Sequence, residues 1–166
     1  MQLPFGEWLP DQPDNLNPGA TVATNVYHAQ TSYKPVKGLV PYSGSSTVTQ
    51  NAKGAGSFRD NTNTVFTFVG TKDNIYKLTS GTFTSVKGSL TISGTDTDFF
   101  TFTQFGQYII ASNGVNAPMY YLMGTSTNFA TLQSIATAGT VPAKFRVSGV
   151  IRDFLVTGNI ENAKNK

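Results

Sequence analysis

From about residue 52 onward, the chain consists of short segments rich in β-branched and aromatic residues, separated by Gly, Asn, Asp and Ser. Such segments favour strands, and the separating residues favour turns. Ser80-Gly81 and Asn113-Gly114 have the strongest turn chemistry, because Gly and Asn accept positive φ at little steric cost. The pattern predicts an all-β fold with strands at 55–60, 64–69, 74–78, 82–86, 99–104, 107–112, 118–122, 128–132, 145–150 and 153–157.

The first eight predicted strands form two sets that resemble copies of one another. Phe58 and Phe102 are 44 residues apart, and Tyr76 and Tyr120 keep the same spacing. A period near 44 with four short strands per unit is typical of a β-propeller blade. The alternative is chance matching of aromatic residues in a β-rich sequence. The repeat predicts blade-like four-stranded antiparallel units, β-propeller-like but incomplete, at 52–97, 98–143 and 144–166.

Residues 1–51 differ from the rest, because six of the eight prolines lie there. Each proline removes a backbone donor and pushes the preceding residue toward extended geometry. The sequence therefore predicts an extended N-terminal arm that contains neither a sheet nor a long helix. Its large apolar side chains are candidates for subunit interaction, namely Phe5, Trp8, Leu9, Tyr27 and Tyr33. In the alternative, Phe5 and Trp8 fill a groove on the chain's own β-domain.

The predicted units are left unfinished by this stretch of sequence. A propeller closes with roughly four to eight blades, whereas two complete units and a fraction are present. Residues 99–143 contain no Asp, Glu, Lys or Arg, so the charged side chains that normally protect exposed strands are missing. We expect other copies, or a longer chain, to cover the last strand. The alternative is that Thr, Asn and Gln solvate this segment adequately.

Catalytic chemistry has few residues to draw on. His28 is the only histidine and Cys is absent. A nucleophilic triad could be built only around His28, and a metal site made of thiolate or imidazole ligands lacks the residues that it needs. Asp96-Thr97-Asp98 comes nearest to a calcium loop and is predicted to be a polar turn. We therefore expect no enzymatic activity, no cofactor and no metal.

Charge and hydropathy bear on the partners of the chain. The net charge is +3, and the twelve Lys and Arg residues are scattered singly, without the basic cluster that a nucleic-acid footprint needs. No apolar run reaches 18 residues, so we expect no membrane span.

A second functional hypothesis concerns sugars. The side chains of Tyr108, Asn116, Tyr120 and Tyr121 could form an aromatic and polar platform beside the Asn113-Gly114 turn, since sugars stack on flat rings and bond to amides. This hypothesis describes a carbohydrate-binding or host-adhesion module. The alternative is ordinary cross-strand packing of the tyrosines.

Several strings along the whole chain carry a resemblance to a known family. They are LPFGEWLPDQPD (3–14), NPG (17–19), NV (25–26), VKG (36–38), GSFRD (56–60), FTQFG (102–106), NGVNAP (113–118) and RDFLVTGN (152–159). They resemble the N-terminal part of phage virion proteins and, more distantly, the tail nozzle or packaged-DNA stabilisation proteins of short-tailed bacteriophages. Members of that family are several times longer than this chain.

The resemblance implies a structural, propeller-bearing protein of the phage tail, nozzle-like or hub-like, within a multi-subunit assembly around the DNA exit path. Its implied partners are other copies of itself and neighbouring tail or adaptor proteins, with non-specific proximity to packaged DNA. The implied location is the virion, after synthesis in the cytoplasm of the bacterial host.

Overall fold

The computed structural model describes residues 6–13, 15–29, 32–38, 40, 48–137 and 139–160, and for residues 28, 29 and 32 it describes the main chain alone. The chain divides into two compact units, Met1–Pro41 and Tyr42–Lys166. Each unit is described by itself.

The N-terminal unit contains a closed loop and a hairpin. The Ala20 N–H donates to the Glu7 carbonyl at 2.9 Å, and the Leu9 N–H donates to the Ala20 carbonyl at 3.0 Å. The Asn17 amide holds the loop by donating to the Leu9 carbonyl at 2.6 Å. Strands β1 (Val26–Ala29) and β2 (Ser32–Pro35) pair antiparallel.

The prediction of an extended arm without a sheet is therefore wrong for this part of the chain. No proline lies between residues 18 and 35, so nothing in that stretch removes a ladder donor. Pro35 occupies the end of its strand, where proline is tolerated.

The compact unit Tyr42–Lys166 begins with a four-stranded antiparallel sheet, the first sheet. Its strands pair in the order β3 (Gly54–Arg59), β4 (Val65–Gly70), β5 (Ile75–Thr79) and β6 (Thr82–Ser85). The Asp60 carboxylate closes the β3–β4 turn by accepting the N–H groups of Thr62 and Thr64 at 2.8 and 2.9 Å. Ser80 and Gly81 both have positive φ, 49° and 79°, in keeping with the tight hairpin turn predicted there.

A second four-stranded antiparallel sheet follows, the second sheet. The strands of the second sheet also pair in chain order, namely β7 (Thr101–Phe105), β8 (Tyr108–Ser112), β9 (Met119–Leu122) and β10 (Ala130–Thr131). The third predicted repeat, called the third unit below, contains a hairpin. A 3-10 helix, Leu132–Ile135, leads on to β11 (Val147–Ile151) and β12 (Phe154–Gly158), which pair with each other.

The all-β class and the four-stranded antiparallel sheets are confirmed. Each strand predicted beyond residue 52 is present, with its ends displaced by no more than two residues. No closed barrel or propeller forms among the described residues.

Successive sheets pack face to face. We call the face that a sheet presents to the next one along the chain its forward face, and the opposite face its rear face. The forward face of the first sheet packs on the rear face of the second through a buried cluster. At its centre, the fully buried Phe68 ring meets the rings of Tyr121 and Phe129 at centroid distances of 5.0 and 5.3 Å. Such ring pairs add about 0.5–1.5 kcal/mol each to the area they bury.

The same interface is narrow beside the first strands. A Cβ on Gly54 would overlap the carbonyl oxygen of Phe100, and one on Gly70 would overlap the Phe100 ring. The Phe100 N–H donates to the Lys53 carbonyl at 2.9 Å, so the two main chains are hydrogen-bonded across the interface. Glycine is therefore required where β3 begins and β4 ends, whereas large rings fill the rest of the interface, including those of Phe58 on β3 and Phe102 on β7.

The forward face of the second sheet packs on the hairpin of the third unit. Ile110 and Phe145 are buried there, and Leu155 packs against them. The Thr103 hydroxyl donates to the Ser148 carbonyl at 3.0 Å, which ties β7 to β11. The three units are thus stacked in chain order, with their first strands β3, β7 and β11 as neighbours.

The aromatic residues that the sequence matched at a spacing of 44 do not occupy equivalent positions in the two sheets. Phe58 and Phe102 both pack into the cluster between the first two sheets, so they face each other from opposite sides. Tyr120 lies on the forward face of its sheet, whereas Tyr76, paired with Val69, lies on a rear face. Strand order repeats from sheet to sheet, but these aromatic positions do not, because a one-residue slip exchanges the two faces of a strand.

Candidate functional site

The forward face of the third unit is apolar and exposed. Alternation along the hairpin, with the pairs Gly149–Val156 and Ile151–Phe154, places four large side chains on that one face. We call them the hairpin face: Val147, Ile151, Phe154 and Val156. Their exposed fractions are 58%, 64%, 72% and 46%. A contiguous apolar patch on a sheet is a feature of surfaces that bind other chains.

The hairpin face is held in place from behind. Ser148 and Leu155 lie on the rear face of the hairpin and contact the second sheet. Arg146 anchors the start of β11, because its Nη2 lies 2.8 Å from Asp98 Oδ1 and its N–H donates to the Gly158 carbonyl at 3.2 Å. The exposed side chains therefore project from an ordered surface.

Asp98 is the most constrained carboxylate near this site. Its side chain is 8% exposed, and the Thr95 hydroxyl and N–H donate to its Oδ2 at 2.7 and 2.8 Å. These bonds from Thr95, and then the Arg146 guanidinium, outweigh desolvation and lower the pKa of Asp98 below its usual value. Asp96-Thr97-Asp98 thus belongs to a hydrogen-bonded turn, as predicted, and one of its carboxylates serves as an anchor for the hairpin.

The outer edge of the hairpin is also open. β4 and β8, the second strands of the complete sheets, each pair with a third strand, whereas β12 pairs with β11 alone among the described residues. An unpaired strand edge presents N–H and C=O groups that another strand can satisfy. As far as its described residues, 144–160, show, the third unit has an uncovered face and an uncovered edge.

The opposite end of the stack is the rear face of the first sheet. Val65 is 51% exposed on it, and Arg59 lies exposed beside the β3–β4 turn. Val69 and Tyr76 are half-buried there, and the Tyr76 hydroxyl is 3.3 Å from the Thr49 hydroxyl. Leu78 and Phe83 share this face through their pairing, and Ser57 and Thr67 contact each other on it through their hydroxyls at 2.8 Å.

The side chains predicted to bind other subunits differ in their surroundings. Trp8 and Tyr27 are 55% and 51% exposed in the N-terminal unit. Leu9 is half-buried beside its bond to Ala20, and the Tyr33 hydroxyl donates to the Gly6 carbonyl at 3.2 Å. Phe5 lies outside the described residues. Trp8 and Tyr27 thus present exposed aromatic surface, as an interface anchor requires.

Of the four residues predicted to form a sugar platform, the structure brings Tyr108 and Tyr120 together but places Tyr121 and Asn116 elsewhere. Tyr121 is 2% exposed and faces the first sheet, whereas its neighbour Tyr120 faces the hairpin and meets the Tyr108 ring at 5.9 Å. Asn116 lies in the loop between β8 and β9, where its Oδ1 accepts from the Asn113 amide at 2.9 Å. The tyrosines take part in packing, as the alternative interpretation held.

The described residues contain no group of three or more His, Asp or Glu side chains that could hold a metal ion. A polar depression is lined by Gln50, Asn51, Lys53, Lys72 and Asp96, but the Lys53 ammonium there is already bonded to the Asp96 carbonyl at 2.8 Å. No helix in the described part of the chain is long and apolar enough to cross a membrane.

The hairpin face was not identified from the sequence. The signal was present, because Phe154-Leu155-Val156 is apolar without alternation, which is typical of a strand buried on both faces. The described residues cover the Leu155 side of β12 and leave the side of Phe154 and Val156 exposed.

Comparisons of the chain with protein-family models, with curated proteins and with solved structures found no match. The geometry of the sheets and the residues on their surfaces are therefore the basis for inferring a function.

Proposed function

We propose that this protein is a structural component of a bacteriophage tail, nozzle-like or hub-like, and part of a multi-subunit assembly around the DNA exit path. The observation that carries the proposal is the hairpin face, an ordered apolar surface beside an open strand edge. A face of this kind is typical of surfaces that bind other chains, and virions supply neighbours at fixed stoichiometry. The resemblance of the sequence to phage virion proteins supplies the biological setting.

We further propose that the stacked sheets act as blades of a propeller-like arrangement that neighbouring subunits complete. Two features support this. The first strands of the three units are neighbours, and the sheets stack face to face in chain order. Blades of four-stranded sheets that stack in chain order around their first strands are the arrangement found in a propeller.

The proposed role is mechanical and not enzymatic. DNA would lie near the assembly without specific contacts, since the net charge is +3 and the cations are scattered. A conduit that bound phosphates tightly through counterion release would hinder the passage of DNA.

The proposal is tested on three phages that differ only in the gene for this protein, which encodes the wild-type sequence, the Phe154→Ser variant or the Phe99→Ser variant. Particles of each phage are purified. Phe99 is the matched control, because it is 62% exposed in the same compact unit, Tyr42–Lys166, but lies outside the hairpin face. We expect mass spectrometry to detect wild-type and Phe99→Ser protein in the particles at several copies each, and Phe154→Ser protein to be depleted. Cryo-electron microscopy of the wild-type particles should place the protein in the tail. Wild-type protein that remains entirely in the particle-free lysate would refute the role in the virion.

A further inference from the structure

We propose that the hairpin face binds the rear face of the first sheet of a second copy of this chain, in a head-to-tail contact. This inference rests on the proposed assembly role and deepens it by naming the partner and both surfaces.

The first argument is continuity with the interfaces already present. Twice along the chain the forward face of one unit packs on the rear face of the next, first through Phe68 and Tyr121 and then through Ile110 and Leu155. Among the described residues, the forward face of the hairpin has no partner, and the first sheet has a rear face of the type that forward faces bind. A second copy placed in the same relation covers both.

The second argument is complementarity between the two surfaces. The hairpin face is apolar, and the rear face of the first sheet offers Val65, Val69, Tyr76, Leu78 and Phe83 beside small hydroxyl side chains. Aliphatic and aromatic side chains opposite small ones interdigitate well across stacked sheets.

The third argument is charge at one end of the contact. Within the chain, neighbouring turns lie side by side, because the Asn61 N–H donates to Gln107 Oε1 at 3.2 Å and Gln104 Nε2 donates to the Arg59 carbonyl at 2.7 Å. The same relation between two copies sets the Arg152-Asp153 turn of one beside the β3–β4 turn of the other. The exposed Asp153 carboxylate then faces the exposed Arg59 guanidinium.

A head-to-tail contact uses different patches on the two copies, so it leaves one free surface of each kind after every addition. Such a contact closes into a ring or continues as an open chain. It cannot form a closed pair through one patch alone.

Cysteine trapping tests the contact directly, because the chain contains no native Cys. Two single variants, Val65→Cys and Phe154→Cys, are mixed at high concentration under a mild oxidant. We expect a disulfide-linked dimer in the mixture and little in either variant alone. Phe99→Cys mixed with Val65→Cys is the control and should remain unlinked.

Charge reversal gives an independent measurement by sedimentation velocity. Arg59→Glu and Asp153→Arg should each weaken self-association by about two- to five-fold, as expected for a rim ion pair. The double variant Arg59→Glu/Asp153→Arg should restore association, because the carboxylate at position 59 of one copy then faces the guanidinium at position 153 of the next. A merely structural role for either residue would make the two losses add, so an additive loss in the double variant would contradict the ion pair.

The outcomes separate this inference from the proposed function. Efficient 154–154 disulfides, or a chain that stays monomeric and unlinked, would overturn the head-to-tail contact. If the protein is found in virions without a 65–154 linkage, the tail role stands and this inference fails. If the linkage forms but the protein is absent from virions, the contact stands and the tail role fails.

Discussion

Replacing Gly54 by Ala tests whether the first two sheets approach as closely as the structure shows. The added Cβ would overlap the Phe100 carbonyl oxygen and lie 3.0 Å from both the carbonyl carbon and the Cβ of Phe100. Ordinary contacts of a Cβ begin near 3.4 Å. Because the obstacle is mainly main chain, β3 and the segment before β7 must separate, and the hydrogen bond from Phe100 to Lys53 lengthens.

The magnitude follows from two opposing effects. Overpacking of an interior typically costs about 1–3 kcal/mol, and a weakened hydrogen bond costs about 0.5–1.5 kcal/mol more. Ala stabilises relative to Gly by about 0.4–1 kcal/mol through the unfolded state. We expect the free energy of unfolding to fall by about 2–3 kcal/mol, which lowers Tm by roughly 4–12 °C in a chain of this size.

Gly149→Ala is the matched control. Gly149 also lies in the first strand of its unit, has no positive φ, and has no heavy atom within 4 Å of the added Cβ. Its stability should stay level or rise by as much as about 1 kcal/mol.

Thermal and urea unfolding are followed by far-ultraviolet circular dichroism. The single tryptophan, Trp8, belongs to the N-terminal unit, so its fluorescence is a poor probe of the sheets. Equal midpoints for the Gly54→Ala and Gly149→Ala variants would show that the narrow contact between the sheets is wrong.

Two further predictions concern the turns and the anchor of the hairpin. Gly106 has φ +58° and open space around it, so Gly106→Ala should lower the free energy of unfolding by about 1 kcal/mol. Arg152 has φ +55°, so Arg152→Gly should raise the free energy of unfolding by a similar amount. Urea unfolding checks that the two changes have opposite signs. Because folding lowers the pKa of Asp98 through Thr95 and then Arg146, its stabilisation is present above about pH 3.9 and is lost as the pH falls through the lower folded value. The urea midpoint should therefore fall on acidification in the wild type and less steeply in Asp98→Asn, and parallel curves would contradict that role.

The sequence predicted the strands well because their signals are local. Hydrophobic segments and turn residues lie next to each other along the chain, and the Ser80-Gly81 turn needs only residues that accept positive φ. The order of strands within each sheet then follows, since short connections join antiparallel neighbours.

These local signals do not predict which face of each strand is buried. Which side of β3 packs inward depends on contacts with a sheet about 45 residues away, and a one-residue slip reverses the assignment. Phe58 and Phe102 were therefore matched by spacing although they face each other. The Arg146–Asp98 pair, 48 residues apart, likewise has no local signature.

The N-terminal unit shows a different limit. Six prolines within 51 residues predicted an extended chain throughout, but no proline lies between Pro18 and Pro35, and β1 and most of β2 lie in that interval. The loop before it closes through the Asn17 amide and through Gly19, whose N–H donates to Asn17 Oδ1 at 2.8 Å. A contact between the Asn17 side chain and the Leu9 carbonyl, eight residues earlier, follows from no spacing rule.

The energetics of the hairpin face indicate how the assembly must form. Full burial of one large apolar side chain contributes about 1.5–3 kcal/mol, so covering the exposed parts of Val147, Ile151, Phe154 and Val156 contributes about 4–7 kcal/mol. Association costs about 4–15 kcal/mol in lost translational and rotational freedom. One such contact is therefore weak in dilute solution, and it becomes strong when further contacts raise the effective concentration, as in a closed ring or on a tail that already holds neighbouring subunits. This weakness favours a part that stays separate during synthesis and assembles at its destination.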